Sequence, residues 1–165
     1  MVVALRRLSP SQPRDVLAFK AAFRSAPSYV YATGGEVPTD ADIERMMNTL
    51  PSGYRAEDMF IYEVAHDDAP CGCAFLARGY PKPSTAYIVL LLIAESAQGK
   101  GLGQHALRQL ELTARSWACT RLEAVVDSEN GRALKFWLRE GFVETRRGRL
   151  SAFVGDAVSV EKNVS

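Results

Sequence analysis

The sequence predicts an α+β (mixed α/β) fold: a central, mostly antiparallel mixed sheet of about six to seven strands with helices on both faces. Three observations carry this expectation. Two short apolar segments, 59–65 and 72–78, flank the turn-forming stretch His66-Asp-Asp-Ala-Pro70, the pattern of an antiparallel hairpin. Residues 85–93 read TAYIVLLLI, a continuous apolar run suited to a strand buried on both faces. From there onward, helix-like and strand-like periodicities alternate.

The elements follow in order. Val2 to Leu8 reads as the first strand, and Ser9-Pro10-Ser11-Gln12 supplies helix-start chemistry for 14–24, where Val16, Phe19, Lys20 and Phe23 keep a helical spacing. Pro27, Gly34, Gly35 and Pro38 mark a loop. Thr39-Asp40-Ala41-Asp42 resembles a capping box before a helix over 43–50, with Ile43, Met46, Met47 and Leu50 on one face. Pro81-Lys-Pro83-Ser84 turns the chain into the strand 85–93. Leu102, Ala106, Leu110, Ala114 and Trp117 then line one face of a helix over 101–118. A strand over 121–126 precedes a second amphipathic helix over 130–140, with Ala133, Leu134, Trp137 and Leu138 inward and Gly141 as its C-terminal cap. Strands over 142–147 and 153–160 follow.

Length and composition bound the function. A chain of 165 residues, 47% hydrophobic and 24% charged, suits one globular domain over 1–165. Twenty basic residues against nineteen acidic ones leave a net charge of +1, which gives no global field for nucleic acid, so any anion site must be local. The longest apolar stretch is too short to span a bilayer, and MVVALRRLSPSQ lacks a signal-peptide pattern, so the expectation is a cytoplasmic protein without a membrane partner. Three cysteines, Cys71, Cys73 and Cys119, do not suggest a disulfide framework. With His66 and His105 as the only histidines, no familiar zinc spacing is completed and no metal is expected.

The chemistry gathers at AESAQGKGLG, residues 94–103, between the apolar strand and the helix that follows it. At a helix start the first N–H groups lack intrahelical partners and the dipole is positive, so this end cradles anions. Glycines at 99, 101 and 103 let the main chain approach a phosphate, and Lys100 adds a positive charge. A P-loop string does not occur. A dinucleotide fingerprint starting at Gly99 fails because its third position is Gln104.

The spacing Gln98-x-x-Gly101-x-Gly103 resembles the Q/R-x-x-G-x-G/A signature of the GNAT-type N-acetyltransferases. The block Asn130-Gly-Arg-Ala-Leu-Lys-Phe-Trp-Leu-Arg-Glu-Gly-Phe142 is similar to that family's other hallmark, an Asn opening a helix that ends in Gly-Phe. At motif level the resemblance covers about residues 85 to 142, and the order of elements outside it is compatible with the same fold.

What the resemblance implies is an acetyl-CoA-dependent N-acetyltransferase that passes an acetyl group to a primary amine of a small molecule or peptide by direct attack. The strand around Leu91, Leu92 and Ile93 would splay from the next strand and pair with the pantetheine arm, since buried main-chain groups need partners. A backbone N–H there would polarise the acetyl carbonyl. Gln98, Gly99, Lys100, Gly101, Leu102, Gly103 and Gln104 would carry the pyrophosphate, and Asn130, Ala133 and Trp137 would meet the cofactor from the second helix. Asn130 also suits a plain N-cap.

The catalytic groups depart from the family's pattern. Many members have a tyrosine after the aromatic residue matching Phe136, able to protonate the leaving thiolate; here Trp137 stands there, and an indole N–H is no proton donor at neutral pH. Tyr87 occupies a place where some relatives carry a glutamate, and by strict alternation it shares a face with Leu91 and Ile93. Tyr87 and Glu95 are the catalytic candidates, the latter to orient the amine or relay a proton. Glu57, Asp58 or Glu63 would attract the ammonium, while tyrosines of Ser28-Tyr-Val-Tyr31 and 51–58, with the glycines after Tyr31, wall the acceptor. A homodimer is left open. The alternative of another class is a non-catalytic acyl-CoA-binding sensor module of the same fold, kept in view by Trp137; a nucleotide-binding domain is more remote.

Overall fold

The computed structural model describes residues 2–32, 37–151 and 153–165, and for 30–32 the backbone only. The elements are β1 (Val3–Leu8), α1 (Pro13–Arg24), α2 (Pro27–Ala32), α3 (Asp40–Asn48), β2 (Met59–His66), β3 (Ala69–Arg78), β4 (Thr85–Ile93), α4 (Leu102–Ser116), β5 (Arg121–Asp127), α5 (Gly131–Arg139), β6 (Val143–Arg149) and β7 (Asp156–Asn163). The strands form one seven-stranded sheet in the order β1-β2-β3-β4-β5-β7-β6. All neighbours are antiparallel except β4 and β5, which run parallel and are joined by α4.

Local chemistry accounts for most boundaries. Pro13 opens α1, where its missing N–H is not needed. Thr39 and Asp42 form the expected capping box: the Thr39 hydroxyl accepts the Asp42 N–H and the Asp42 carboxylate accepts the Thr39 N–H. Gly141 follows α5 at φ +95°, the left-handed geometry that ends helices. Two inward assignments differ. Leu50 lies beyond the end of α3 and is 40% exposed, and Leu138 is 46% exposed because Ala133, Leu134 and Trp137 set the buried stripe of α5 and Leu138 lies off it.

Helix α2 occupies part of what reads as a loop. Its first turn is held from a distant segment: Glu95, after β4, accepts the Ser28 N–H at 2.7 Å and also the Ser28 hydroxyl. A cap 67 residues away leaves no local pattern to read. Gly34, Gly35 and the side chain of Tyr31, proposed for the acceptor wall, lie outside the described residues.

Two apolar layers sandwich the sheet. On one face Phe19 and Phe23 of α1 and Ile43 and Met47 of α3 pack on Ile61, Cys73, Phe75, Leu90 and Leu92. On the other, Leu102, Ala106, Leu107 and Leu110 of α4, with Trp137 of α5, pack on Leu76, Ile88, Leu122, Ala124 and Val158. Each fully buried Leu, Ile or Phe contributes about 1.5–3 kcal/mol from removal of apolar area from water.

The sheet contains one irregularity that positions the site. In the β3–β4 ladder Leu76 pairs with Ile88 and Phe75 with Leu90, so Val89 is an extra residue, a β-bulge. The bulge shifts the alternation by one. Tyr87 therefore lies on the α1/α3 face with Leu90 and Leu92, whereas Leu91 and Ile93 lie on the α4/α5 face. This corrects the shared parity of Tyr87 with Leu91 and Ile93, which assumed an unbroken strand.

Candidate active site

Strands β4 and β5 begin as neighbours and then part. Their pairing runs from Thr85↔Arg121 to Ile88↔Ala124 and stops, although β4 remains paired with β3 to Ile93 and β5 remains paired with β7 to Asp127. Among the described residues, the main-chain groups from Val89 to Ile93 on the β5 side consequently have no strand partner. A central sheet with such a gap calls for an extended, hydrogen-bonding occupant.

The gap leads to the glycine loop. A short 3-10 turn over Glu95–Ala97 links β4 to Gln98, whose side-chain amide donates to the Ile93 carbonyl at 2.9 Å. Gly99 and Gly101 have φ of +77° and +79°, and a Cβ on either would meet nothing within 4 Å. Their bare side thus fronts open space. Gly101 is the N-cap of α4 and contributes no side-chain bond, while among the described residues no acceptor is bonded to the N–H groups of residues 99–104. Thr39 and Asn130, by contrast, cap α3 and α5. The uncapped start of a fifteen-residue helix offers converging N–H donors and the positive end of its dipole to an anion. Lys100 is exposed nearby, with its ammonium bonded to the Ser96 carbonyl.

The remaining residues expected at the cofactor also hold α4 and α5 together. Gly103 gives α4 a close approach to α5, since a Cβ there would stand 3.4 Å from Phe136 Cε2 and 3.7 Å from Ile93 Cγ1. Leu102 is buried in the core. Gln104 donates to Glu140 at 3.1 Å, tying α4 to the end of α5. The Asn130 Oδ1 accepts the Ala133 N–H at 3.2 Å, the N-cap role, which leaves its amide NH2 unused among the described residues. Ala133 is half-buried, and Trp137 is buried between Phe136 and Phe142, with ring centroids at 5.2 and 4.9 Å.

On the other face a cavity of about 570 Å³ lies between α3, the segment after it and the sheet. Its apolar wall includes Met46, Met59, Phe75, Tyr80, Tyr87 and Val89, and so reaches β4 on both sides of Ile88, the last residue paired with β5. Tyr87 stacks edge-on with Tyr80 at 5.2 Å, and Tyr80 does the same with Tyr54 at 4.9 Å. Burial, with smaller effects from Tyr80 and Glu123, pushes the Tyr87 phenol up to about 12. It therefore stays protonated at neutral pH.

The acids expected to face an amine are otherwise engaged. Glu57 pairs with Arg55, Asp58 with Arg78 at 2.8 Å, and Glu63 with Arg6 at 3.1 Å; none lines the cavity. Glu95 is held below its usual range, chiefly by the Ser28 hydroxyl and then by the Ser28 N–H. Burial pushes the Cys73 thiol up to about 12, so it holds no useful thiolate.

Two acids escaped the sequence reading. Glu123 of β5 is the register partner of Tyr87. Asp127, at the end of β5, is only 2% exposed and accepts the N–H groups of Glu129, Val154 and Gly155 at 2.9 to 3.0 Å, fixing the segment before β7 beside Asn130 and α5. An Asp closing a strand three residues before a helix-capping Asn is a local signal for such a clamp.

Among the described residues no helix is long and apolar enough to cross a membrane, and no group of three metal-ligating side chains occurs. Compared with curated protein sequences, the chain matches none. Solved structures give many likenesses. An acetyltransferase from Thermus thermophilus is 28% identical, with 99% of this chain and 97% of that one covered and a TM-score of 0.82. The aminoglycoside acetyltransferase AAC(6')-Ib, solved with ribostamycin and coenzyme A, is 23% identical, with coverage of 99% and 94% and a TM-score of 0.74. The ribosomal-protein-S18-alanine N-acetyltransferase from Escherichia coli is 15% identical, with coverage of 99% and 95% and a TM-score of 0.70. The last two show likeness of fold. The model of the acetyltransferase (GNAT) family matches residues 22–142, a span that holds both the parted strands and the uncapped helix start, and the chain belongs to that family.

Proposed function

We propose that this protein transfers the acetyl group of acetyl-CoA to the nitrogen of a primary amine by direct attack. The observation that carries the reading is the parting of β4 from β5 after Ile88 and Ala124, immediately ahead of the uncapped N-terminus of α4. The unpaired main chain of residues 89–93 suits the amides of a pantetheine arm, and the N–H groups of 99–104 suit a pyrophosphate. Asn130, through its unused amide group, and the flank of α5 at Ala133 and Trp137 complete the binding surface. When bound, acetyl-CoA supplies the thioester carbon that the amine attacks.

The chain's own residues set the conditions for that attack. A backbone N–H in the bulged stretch at Val89 donates to the carbonyl oxygen as charge gathers there, an effect worth roughly 3–4 kcal/mol where such donors have been removed from other enzymes. Tyr87 keeps its proton and serves as a donor and wall rather than a base. Glu95 is a positioning residue: it holds α2 against the loop that enters α4. Cys73, buried and protonated, forms no acyl-enzyme. The leaving thiolate, with a thiol pKa of about 8.5, is a tolerable leaving group without a dedicated acid from the protein, so Trp137 in place of a tyrosine does not forbid turnover.

A second reading, an acyl-CoA-binding module without turnover, is favoured by Trp137 alone. Calorimetric titration with coenzyme A, acetyl-CoA and ATP, followed by thiol release with an amine panel, separates the cases. Binding of both coenzyme A species with amine-dependent thiol release supports the transferase. Binding without release supports the module, and preference for ATP defeats both.

A further inference from the structure

The cavity beside β4 has an unusual division of charge. Only Asp42 and Arg45 among its described lining residues are charged, and they pair with each other at 3.0 Å, with Asp42 also committed to the α3 capping box. Apart from Thr49, whose hydroxyl donates to the Arg45 carbonyl at 2.7 Å, the rest of the described wall is apolar or aromatic. A body that fills this space must therefore be largely apolar, because a polar one would give up water without gaining partners.

Among the described residues one carboxylate beside the cavity, outside its lining but next to its Tyr87 wall, is uncommitted. Glu123 is half-buried and has neither an ion pair nor a hydrogen bond among the described residues, unlike Glu57, Asp58, Glu63 and Glu95. It pairs in register with Tyr87, so both side chains project from the α1/α3 face, while Leu122 and Ala124 on either side of it are buried in the opposite layer. Glu123 thus stands one residue before the last β4–β5 pair. A half-buried, unpartnered carboxylate is stabilised by an incoming cation.

Resting on the acetyltransferase reading, we infer that the acceptor is a monocationic primary amine on an apolar body, with the body in the cavity and the ammonium at Glu123. The Glu123 carboxylate accepts one ammonium proton. The freed nitrogen lone pair forms the N–C bond to the acetyl carbon, and the C–S bond breaks with its electron pair passing to sulfur. The thiolate takes up the proton shed by the new amide nitrogen, and Glu123 returns its own to water. A polycation with a polar body is a poor fit, since the described residues offer one free carboxylate and a largely apolar wall.

The test uses the full chain with 2-phenylethylamine and ribostamycin as acceptors, and the variants Glu123→Gln, Glu123→Asp and Leu50→Asp. Coenzyme A must first stabilise the wild-type protein thermally; failure there removes the acetyltransferase reading and this inference with it. Given that binding, kcat/KM for 2-phenylethylamine should exceed that for ribostamycin at least about tenfold, a selectivity worth one good pocket contact. Glu123→Gln should lower kcat about 100-fold, the low end for a lost proton acceptor, and Glu123→Asp should restore part of it. Leu50→Asp, which places a charge in the cavity wall, should instead weaken 2-phenylethylamine binding to the coenzyme A complex about tenfold by calorimetry, with little change in kcat. Preference for ribostamycin, or turnover within twofold of wild type in Glu123→Gln, overturns the inference while leaving the acetyltransferase reading intact.

Discussion

The side-chain amide of Gln98 donates to the main-chain carbonyl of Ile93 at 2.9 Å, joining the last residue of the splayed strand to the loop that opens α4. The signature glutamine therefore acts first on the protein itself. It satisfies a carbonyl where β4 ends and fixes the distance between the strand gap and the helix start.

Removing that bond should loosen the cradle without dismantling it. Gln98→Ala is expected to weaken coenzyme A binding about fivefold, the equivalent of one net hydrogen bond near 1 kcal/mol. Gln98→Glu cannot donate to Ile93 and adds a negative charge beside an anion site, so a loss of about 30-fold or more is expected. Isothermal titration calorimetry at fixed ionic strength measures both. Equal losses in the two variants would restrict Gln98 to bracing the loop.

Glycines at two sites should fail in opposite ways. A side chain at Gly101 meets open space but must adopt φ +79°, so Gly101→Asp should lower stability by only about 1 kcal/mol. Its carboxylate would face the uncapped N–H groups, and coenzyme A binding should fall more than about 100-fold. At Gly155 a Cβ would run into Ser128 Oγ and stand 2.8 Å from both Asp127 Oδ1 and Glu129 Cγ, inside the clamp that secures the segment before β7. Gly155→Ala should therefore cost about 2 kcal/mol and shift the melting temperature by several degrees, with coenzyme A affinity at low temperature much less affected. Paired thermal melts and titrations would expose a reversal.

The contrast between these glycines also separates what the sequence makes legible from what it does not. The glycine spacing, the Thr39–Asp42 capping box, the Asn130 cap and the bounds of β4 are local patterns, and the fold reproduces them. The bulge at Val89 depends on how β3 meets β4, so strict alternation misplaced Tyr87. The pairing of Glu57, Asp58 and Glu63 with arginines, and the Glu95 cap on α2, depend on segments brought together only by the sheet. For the same reason Glu123 became visible only through its register with Tyr87.

The contact between Glu95 and Ser28 should give the site an acid limit. Both hydrogen bonds from Ser28 favour the ionised carboxylate and lower its pKa from the ordinary 4.5. A folded-state pKa below the unfolded one contributes stability that is present above about pH 4.5 and lost as pH falls through the lower, folded value. The Ser28 amide resonance should accordingly titrate with a midpoint below 4.5 in nuclear magnetic resonance spectra. Glu95→Gln keeps an acceptor but removes the charge, so this titration should vanish while the α2 amides show increased hydrogen exchange at neutral pH. A Ser28 midpoint at or above 4.5 would mean that the carboxylate gains nothing from the contact, and the position of α2 would then rest on contacts such as the packing of Tyr29 against Phe23.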